Sequence, residues 1–592
     1  MKKYQSIGLS IILLVSLMGG TLLWLRAFGT SLSQYRSPLR DVTLSPQTPT
    51  LPAYTHKVVV VLISGLGYDN ALALNLPVFS RLSQTGATAA VQSSPPTFPQ
   101  TAWATLLSGA PAETNDAPPI DLVTQELYPL EIDTLFNRAK AANLQTAVFG
   151  QADWGQMIPD DLIDHKFVID TQGFQTDELI LESALPIIKD DQTELIVLQF
   201  TQLNVTANQQ AGIDNQAYLE AANQVDAYLE TISTALDLSN AVLIVTADHG
   251  HTEDGGYGGD EVEVIWQPFV MNGQDIIPGV YSDIHQTDVA PTIATLLGLA
   301  PPTATQGRIL LEMLRLSETE QAILQLGLTK QRIALAGAYI TQMGDSQTTD
   351  LTTLIEDLEY AETTFNNNNI NGALQLASLA RGEADAKIAA VRNGHLQTSR
   401  LIRLPIVLTI VGLWLLMLWR KRGVHTGSII IAAGFTLILY HTLYQLQGYS
   451  YSISSYINII SLPLEIARRT TVSLLIGWGI LLILLMLADE GNWARLLGSA
   501  YGYSVLVTFM FTAPFFWGYW QNGWAVTTYL PSVVPAFWQI AAAIEGLVAA
   551  TLGLLLPWAI MILCLFVHLV RHRLNETGPS HTKTGSLPGL HL

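Results

Sequence analysis

The stretch HKVVVVLISGLG, residues 56–67, decides the fold. Val58 to Ile63 is an unbroken apolar run rich in β-branched residues, and it ends at Ser64-Gly65. A strand with one wet face would alternate. A run without alternation reads as a strand buried on both faces, as in a parallel sheet. Working outward, LQTAVFG (144–150), ELIVLQF (194–200) and AVLIVTADHG (241–250) have the same character. Helical patterns such as AYLEAANQVDAYLETISTAL (217–236) lie between them. Strand–helix alternation over this length predicts an α/β domain with a mostly parallel sheet flanked by helices. In such sheets functional groups gather where strands end.

The chain has 592 residues, 49% of them hydrophobic and only 13% charged, with a mean hydropathy of +0.31. That excludes a disordered chain and argues against a purely soluble one. Charge is unevenly placed. Residues 1–29 carry three basic residues and no acid, and residues 401–592 carry ten basic and five acidic ones. Residues 30–400 hold 16 basic and 44 acidic residues. A block this acidic repels nucleic acid, so DNA or RNA is not an expected partner. Cys564 is the only cysteine, so an intrachain disulfide is impossible.

Lys2 and Lys3 precede an apolar run from Ile7 to Leu25. It is long enough to span a bilayer, and it reads as an uncleaved anchor rather than a signal peptide. Residues 30–55 read as a Ser/Pro/Thr-rich linker, and 56–315 as the α/β domain. Residues 316–400 read as a helical stalk or hairpin, serving as a plain spacer. Further spans are expected at about 401–419, 427–446, 470–488, 496–518 and 536–569, the last overlong and containing Pro557. A tail follows from 571 to 592. The cluster at Arg420, Lys421 and Arg422, with Arg571 and Arg573, places both termini in the cytoplasm and residues 30–400 outside it. Arg468 and Arg469 then fall on the outer side, against the trend. Glu545 lies within the last span; an intramembrane carboxylate is a functional candidate, with a helix–helix contact as the alternative.

Three segments of the α/β block resemble the alkaline phosphatase superfamily, in the branch of nucleotide pyrophosphatase/phosphodiesterases. VVVLISGLGYDNAL is similar to its opening strand and turn, PPTFPQTAWATLLSGAPAET to its nucleophile segment, and VTADHGHTEDGGYGGDE to its second metal segment. QTDVAPTIATLLGL (286–299) is similar to its closing helix. An α/β block followed by many spans also resembles the layout of GPI ethanolamine-phosphate transferases.

The resemblance implies two zinc ions that stabilise attacking and leaving oxygens at phosphorus, with a metal-activated Thr or Ser nucleophile. It implies three Asp and three His ligands. Thr97 stands at the nucleophile position, and Asp248 and His249 match the Asp-His pair. The other four ligand positions are substituted. Ser64 replaces the Asp of the opening turn, Asn204 and Asn208 replace an Asp and a His, and Tyr257 replaces the last His. Amide and hydroxyl oxygens are poor zinc ligands. A relocated single-metal site would use Asp248, His249 and one of the nearby residues His251, Glu253, Asp254, Asp260, Glu261 and His285.

Thr97 also suits a packing or helix-capping role, Asp248 and His249 a hydrogen-bonding role at a strand end, and Ser64 a turn. The expectation is a membrane-anchored pseudoenzyme without a cofactor, whose extracytoplasmic domain is an interaction or scaffold module. Its expected partners are membrane lipids and other membrane-protein subunits. One alternative is an active phosphodiesterase or phosphotransferase using zinc or another divalent metal at an altered site. Another is a membrane-complex subunit acting through its spans.

Overall fold

A computed structural model describes residues 2–47, 51–209, 212–344, 350–420, 425–456 and 461–576. The sheet is built from β1 (Lys57–Ile63), β2 (Ala87–Gln92), β3 (Gln145–Gln151), β4 (His165–Ile169), β5 (Thr193–Phe200), β6 (Ala241–Thr246), β7 (Trp266–Gly273), β8 (Gly279–Val280) and β9 (Ile284–His285). Strand order is β4-β3-β5-β1-β6-β7-β2-β8, with β9 also on β2. Pairing is parallel from β4 through β6, and only β7 runs against its neighbours. The quoted run is β1, at the centre. Val58, Val60 and Leu62 enter one buried cluster, and Val59, Val61 and Ile63 enter the other. Burial on both faces is what the missing alternation required.

β2, β4, β7, β8 and β9 were not legible in advance. β2 reads ATAAVQ, too poor in large apolar residues to signal a strand, and β7 contains Pro268.

Among the described residues six helices are long and apolar enough to cross a membrane. The first runs from Lys2 to Ser33, past the expected anchor boundary. The segment after it is no loose linker. Tyr35 donates to the Glu113 carbonyl at 2.8 Å, and Arg36 pairs with the buried Asp116 at 2.6 Å.

The 316–400 region packs against the α/β domain. Helix Glu318–Gln342 packs into the α/β core through Leu324, Leu335 and Tyr339. Its buried Arg332 pairs with Asp385 and donates to the Gly307 carbonyl at 2.9 Å. No break separates this region from the next span: one helix of 51 residues runs from Ile370 to Arg420. At 1.5 Å per residue it is about 75 Å long, more than twice a bilayer's hydrocarbon core. One half packs on the α/β domain and the other half is the span.

The remaining spans are Thr426–Leu446, Ser461–Leu487, Trp493–Asn522 and Val533–Glu576, the last unbroken through Pro557. Loops 447–456 and 523–532 face the α/β domain, as shown by Ser454 against Gly259 and by Tyr35 against Thr528. The opposite rim carries Asp489, Glu490, Arg495 and Arg571. Lys421, Arg422 and residues 577–592 lie outside the described residues.

A candidate site at the strand ends

β5, β1 and β6 are adjacent and parallel, so their C-terminal ends open side by side. β1 delivers Ser64 and Gly65, and β6 delivers Asp248 and His249. The helix after β5, Gln202–Gln209, delivers Asn204 and Asn208. The structure therefore brings Ser64, Asn204, Asn208, Asp248, His249 and Tyr257 together through one hydrogen-bonded and stacked network.

At its centre is Asp248, fully buried. Ser64 Oγ donates to its Oδ2 at 2.7 Å, and Trp103 Nε1 donates to the same oxygen at 3.0 Å. Oδ1 accepts the backbone N–H groups of His249 at 2.9 Å and Gly65 at 3.3 Å. Gln199 donates to Ser64 Oγ at 3.0 Å, and its own carbonyl accepts Trp154 Nε1 at 2.8 Å. Trp103 and Trp154 stack with centroids 4.5 Å apart. Sequence reading missed Trp103, Trp154 and Gln199; the only available signal was that Trp103 sits six residues after Thr97.

His249 donates from Nδ1 to the Gly250 carbonyl at 2.9 Å. Its Nε2 is buried without a hydrogen-bond partner and lies 3.7 Å from Asp248 Oδ1. The ring stacks on Tyr257, with centroids 4.3 Å apart. Tyr257 donates to Asp121 at 3.1 Å. Burial pushes the Asp121 carboxyl up to about 6, and burial together with Asp121 keeps the Tyr257 phenol protonated. His251 is held between the Gly65 carbonyl at 3.0 Å and the Asn204 side-chain oxygen at 2.9 Å. Burial pushes its pKa down to about 3. A neutral ring offers one donor, which Gly65 takes, so Nε2 is satisfied when the Asn204 amide turns its NH2 toward it. Asn208 lies against Asn204 at 3.2 Å.

Thr97 stands just before helix Pro99–Ser108. Its hydroxyl donates to the Gly259 carbonyl at 3.0 Å and accepts the Gly258 N–H at 3.1 Å. Gly258 has φ +98°, and a Cβ there would press on the Phe98 ring. Both hydroxyl functions are thus spent on backbone, and Thr97 is 1% exposed. Glu253, Asp254, Asp260 and His285 are exposed and Glu261 is half-buried. None of these five has a hydrogen bond to Asp248 or His249.

These residues do not fit a two-zinc centre. Asp248 is the only carboxylate among Ser64, Asn204, Asn208, Asp248, His249 and Tyr257, and its oxygens carry four protein donors. Tyr257 is a protonated phenol, and two further positions are amides. The atoms of this set left without a hydrogen-bond partner include His249 Nε2 and Asn208 Oδ1. Among the described residues no three His, Cys, Asp or Glu side chains group as a metal site.

The second candidate, Glu545, is buried in the membrane domain and accepts from Tyr440. Near it lies Arg469, 4% exposed. Its guanidinium sits 4.3 Å over the Tyr444 ring and 4.7 Å over Tyr449, and its Nε donates to Gln447 at 2.8 Å. Sequence reading saw Arg469 only as a charge on the wrong side. In the helix Ser461–Leu487 it lies among the buried residues.

No family model matches the chain. Over 282 residues, 44% of the chain, it is 23% identical to the human protein "GPI ethanolamine phosphate transferase 2, catalytic subunit", covering 28% of that protein. Over 197 residues it is 24% identical to the human GPI ethanolamine phosphate transferase 3 catalytic subunit, covering 18% of it. It is 30% identical over 136 residues to 2,3-bisphosphoglycerate-independent phosphoglycerate mutase of Coxiella burnetii, covering 25% of it. The chain thus spans well under a third of each of these relatives. Among solved structures, murine ectonucleotide pyrophosphatase/phosphodiesterase 5 is 14% identical with a TM-score of 0.35, covering 41% of this chain and 96% of that one. Wild-type alkaline phosphatase PafA is 10% identical with a TM-score of 0.34, covering 45% of this chain and 99% of that one.

Proposed function

We propose that this multi-pass membrane protein carries a non-catalytic phosphatase-like domain, held outside the cytoplasm as an interaction or scaffold module for other membrane-protein subunits. The observation that carries this reading is the state of Asp248. Ser64 and Trp103 are bonded to one oxygen and two backbone N–H groups to the other, so the carboxylate is a structural acceptor at the head of β6. Among the described residues no base contacts Thr97, and its hydroxyl is closed onto Gly258 and Gly259. The transferase activity named for the similar human proteins does not carry over to a site with this donor set.

Metal content and hydrolysis measured together test the reading. The purified full chain should hold less than one zinc per molecule and keep its melting temperature in chelator, because a ligand stabilises only what it binds. It should show no phosphodiester hydrolysis that Thr97→Ala removes. Tightly bound zinc with Thr97-dependent turnover would overturn it. For sidedness, protease added to cells stripped of any outer envelope should digest residues 30–400 and spare the termini.

A second reading, a subunit acting through its spans, is favoured by the buried Arg469 with its tyrosine clamp and by Glu545 beside it. Intramembrane charges of this kind are costly to keep. Under this reading, Arg469→Leu abolishes association with partner subunits while Thr97→Ala leaves it intact.

A further inference from the structure

The loop between two spans, residues 447–456, reads QGYSYSISSY and has two faces. One belongs to the membrane helices. Gln447 accepts Arg469 Nε at 2.8 Å, and the Tyr449 ring lies 4.7 Å from the Arg469 guanidinium. Tyr444, the second ring against that guanidinium, donates its hydroxyl to the Ser450 carbonyl at 2.8 Å. Tyr451 stacks on Tyr444 and on Trp538, with centroids 4.4 and 4.7 Å apart, and Tyr456 stacks on Tyr449 at 5.2 Å. The other face belongs to the α/β domain. Ser454 is fully buried, its Oγ accepts the Gly259 N–H at 2.8 Å, and its carbonyl fills the space that a Cβ of Gly256 would need.

The segment that Ser454 touches has little stiffness of its own. Three of its four residues, Gly256, Gly258 and Gly259, are glycine, and glycine backbone is the most costly to order. The fourth is Tyr257, stacked on His249, and the Gly258 N–H reaches the Thr97 hydroxyl. At the other end of the loop stands a charge that is expensive to keep among membrane helices. Arg469 is held by one amide and two rings, and its Nη1 is buried without a hydrogen-bond partner. A counter-charge or a partner's helix near Arg469 changes what holds it, and the loop rests on the same contacts. We infer that residues 447–456 are a strap through which Arg469, inside the membrane domain, sets the position of the Gly256–Gly259 turn on the α/β domain.

Arg469 is then a positioning residue. It acts on Tyr257 and Thr97 only through the loop, by way of Gln447, Tyr449 and the Tyr444–Ser450 bond on one face and Ser454 on the other. The strap rests on neither functional reading. It works in the same way whether the α/β domain is a scaffold or an enzyme, and it needs no metal.

Amide hydrogen exchange on the full chain in lipid nanodiscs tests this. In Arg469→Leu the amides of 256–259 should exchange roughly three- to tenfold faster, about the worth of one hydrogen bond, with β1, β5 and β6 unchanged. Ser454→Ala cuts the strap at its far end and should speed the same amides. Adding Arg469→Leu to Ser454→Ala should then speed 256–259 by less than Arg469→Leu does in the wild type, because both act through one contact. Gln447 is exposed, so Gln447→Ala folds even if Arg469→Leu does not, and it should speed 256–259 in the same direction. Unchanged exchange at 256–259 in both Arg469→Leu and Gln447→Ala would overturn the proposal. So would strands that speed up as much as the turn, which is general loss of stability. Fully additive effects of Arg469→Leu and Ser454→Ala would overturn it as well, since the two residues would then act separately.

Discussion

Thr97 and Ser454 meet across one residue. Gly259 accepts the Thr97 hydroxyl on its carbonyl at 3.0 Å and donates its N–H to Ser454 Oγ at 2.8 Å. Ser454 belongs to a loop of the membrane domain, about 200 residues away in the chain. Thr97 and the membrane domain are therefore joined by two hydrogen bonds through one residue. Gly256 lies under the same loop, and a Cβ there would overlap the Ser454 carbonyl.

Gly256→Ala should pry this contact open. Overpacking of this kind costs about 1–3 kcal/mol, and the obstacle is backbone, which cannot rotate aside. The expected result is faster amide exchange in residues 450–456 and 256–259, with the sheet strands unchanged. Unaltered exchange in both segments would show that the loop does not rest on Gly256.

Trp103→Phe keeps an aromatic ring against Trp154 and removes one donor from Asp248. A buried acceptor that loses its donor costs about 1–3 kcal/mol. The melting temperature should fall by several degrees, and added zinc should not recover it. Recovery by zinc would mean that the carboxylate still binds metal once freed.

Asp121 gives the site a pH signature. Burial raises its folded pKa from 3.8 to about 6, so the folded state holds the proton more tightly than the unfolded one. Its contribution is full below about pH 4 and is lost as pH rises through 6. Two units correspond to at most about 3 kcal/mol, less what solvent screens at this partly exposed group. Asp121→Asn stays neutral throughout. Wild type should gain stability relative to that variant as pH falls from 7 to 4.5, read as a widening difference in melting temperature. A constant difference would remove Asp121 as the source.

Placing four zinc-ligand side chains together tests whether this network can hold metal. Ser64, Asn204, Asn208 and Tyr257 sit around Asp248 and His249 in one network, so Ser64→Asp, Asn204→Asp, Asn208→His and Tyr257→His together should bind zinc. Single substitutions should not, since each metal needs several ligands at once. Zinc per chain, measured on the five proteins, decides it. Uptake by any single variant would contradict the coupling.

Much of this architecture is local, and the sequence determined it alone. The unbroken run Val58–Ile63 required a strand buried on both faces, and apolar stretches of bilayer length required spans. The identities of Ser64, Asn204, Asn208 and Tyr257 already made them poor zinc ligands, because ligand chemistry belongs to the side chain. Long-range packing was not legible. Helix 318–342 is an ordinary amphipathic pattern until its apolar face meets the α/β core, and no pattern marks whether a long helix stops at 400 or runs on to 420. Trp103 reaches Asp248 only because helix 99–108 lies across the end of β6. Arg469, a misplaced charge in one dimension, becomes the centre of a tyrosine clamp in three. Such contacts join residues tens to hundreds of positions apart, and they depend on shapes that periodicity does not encode.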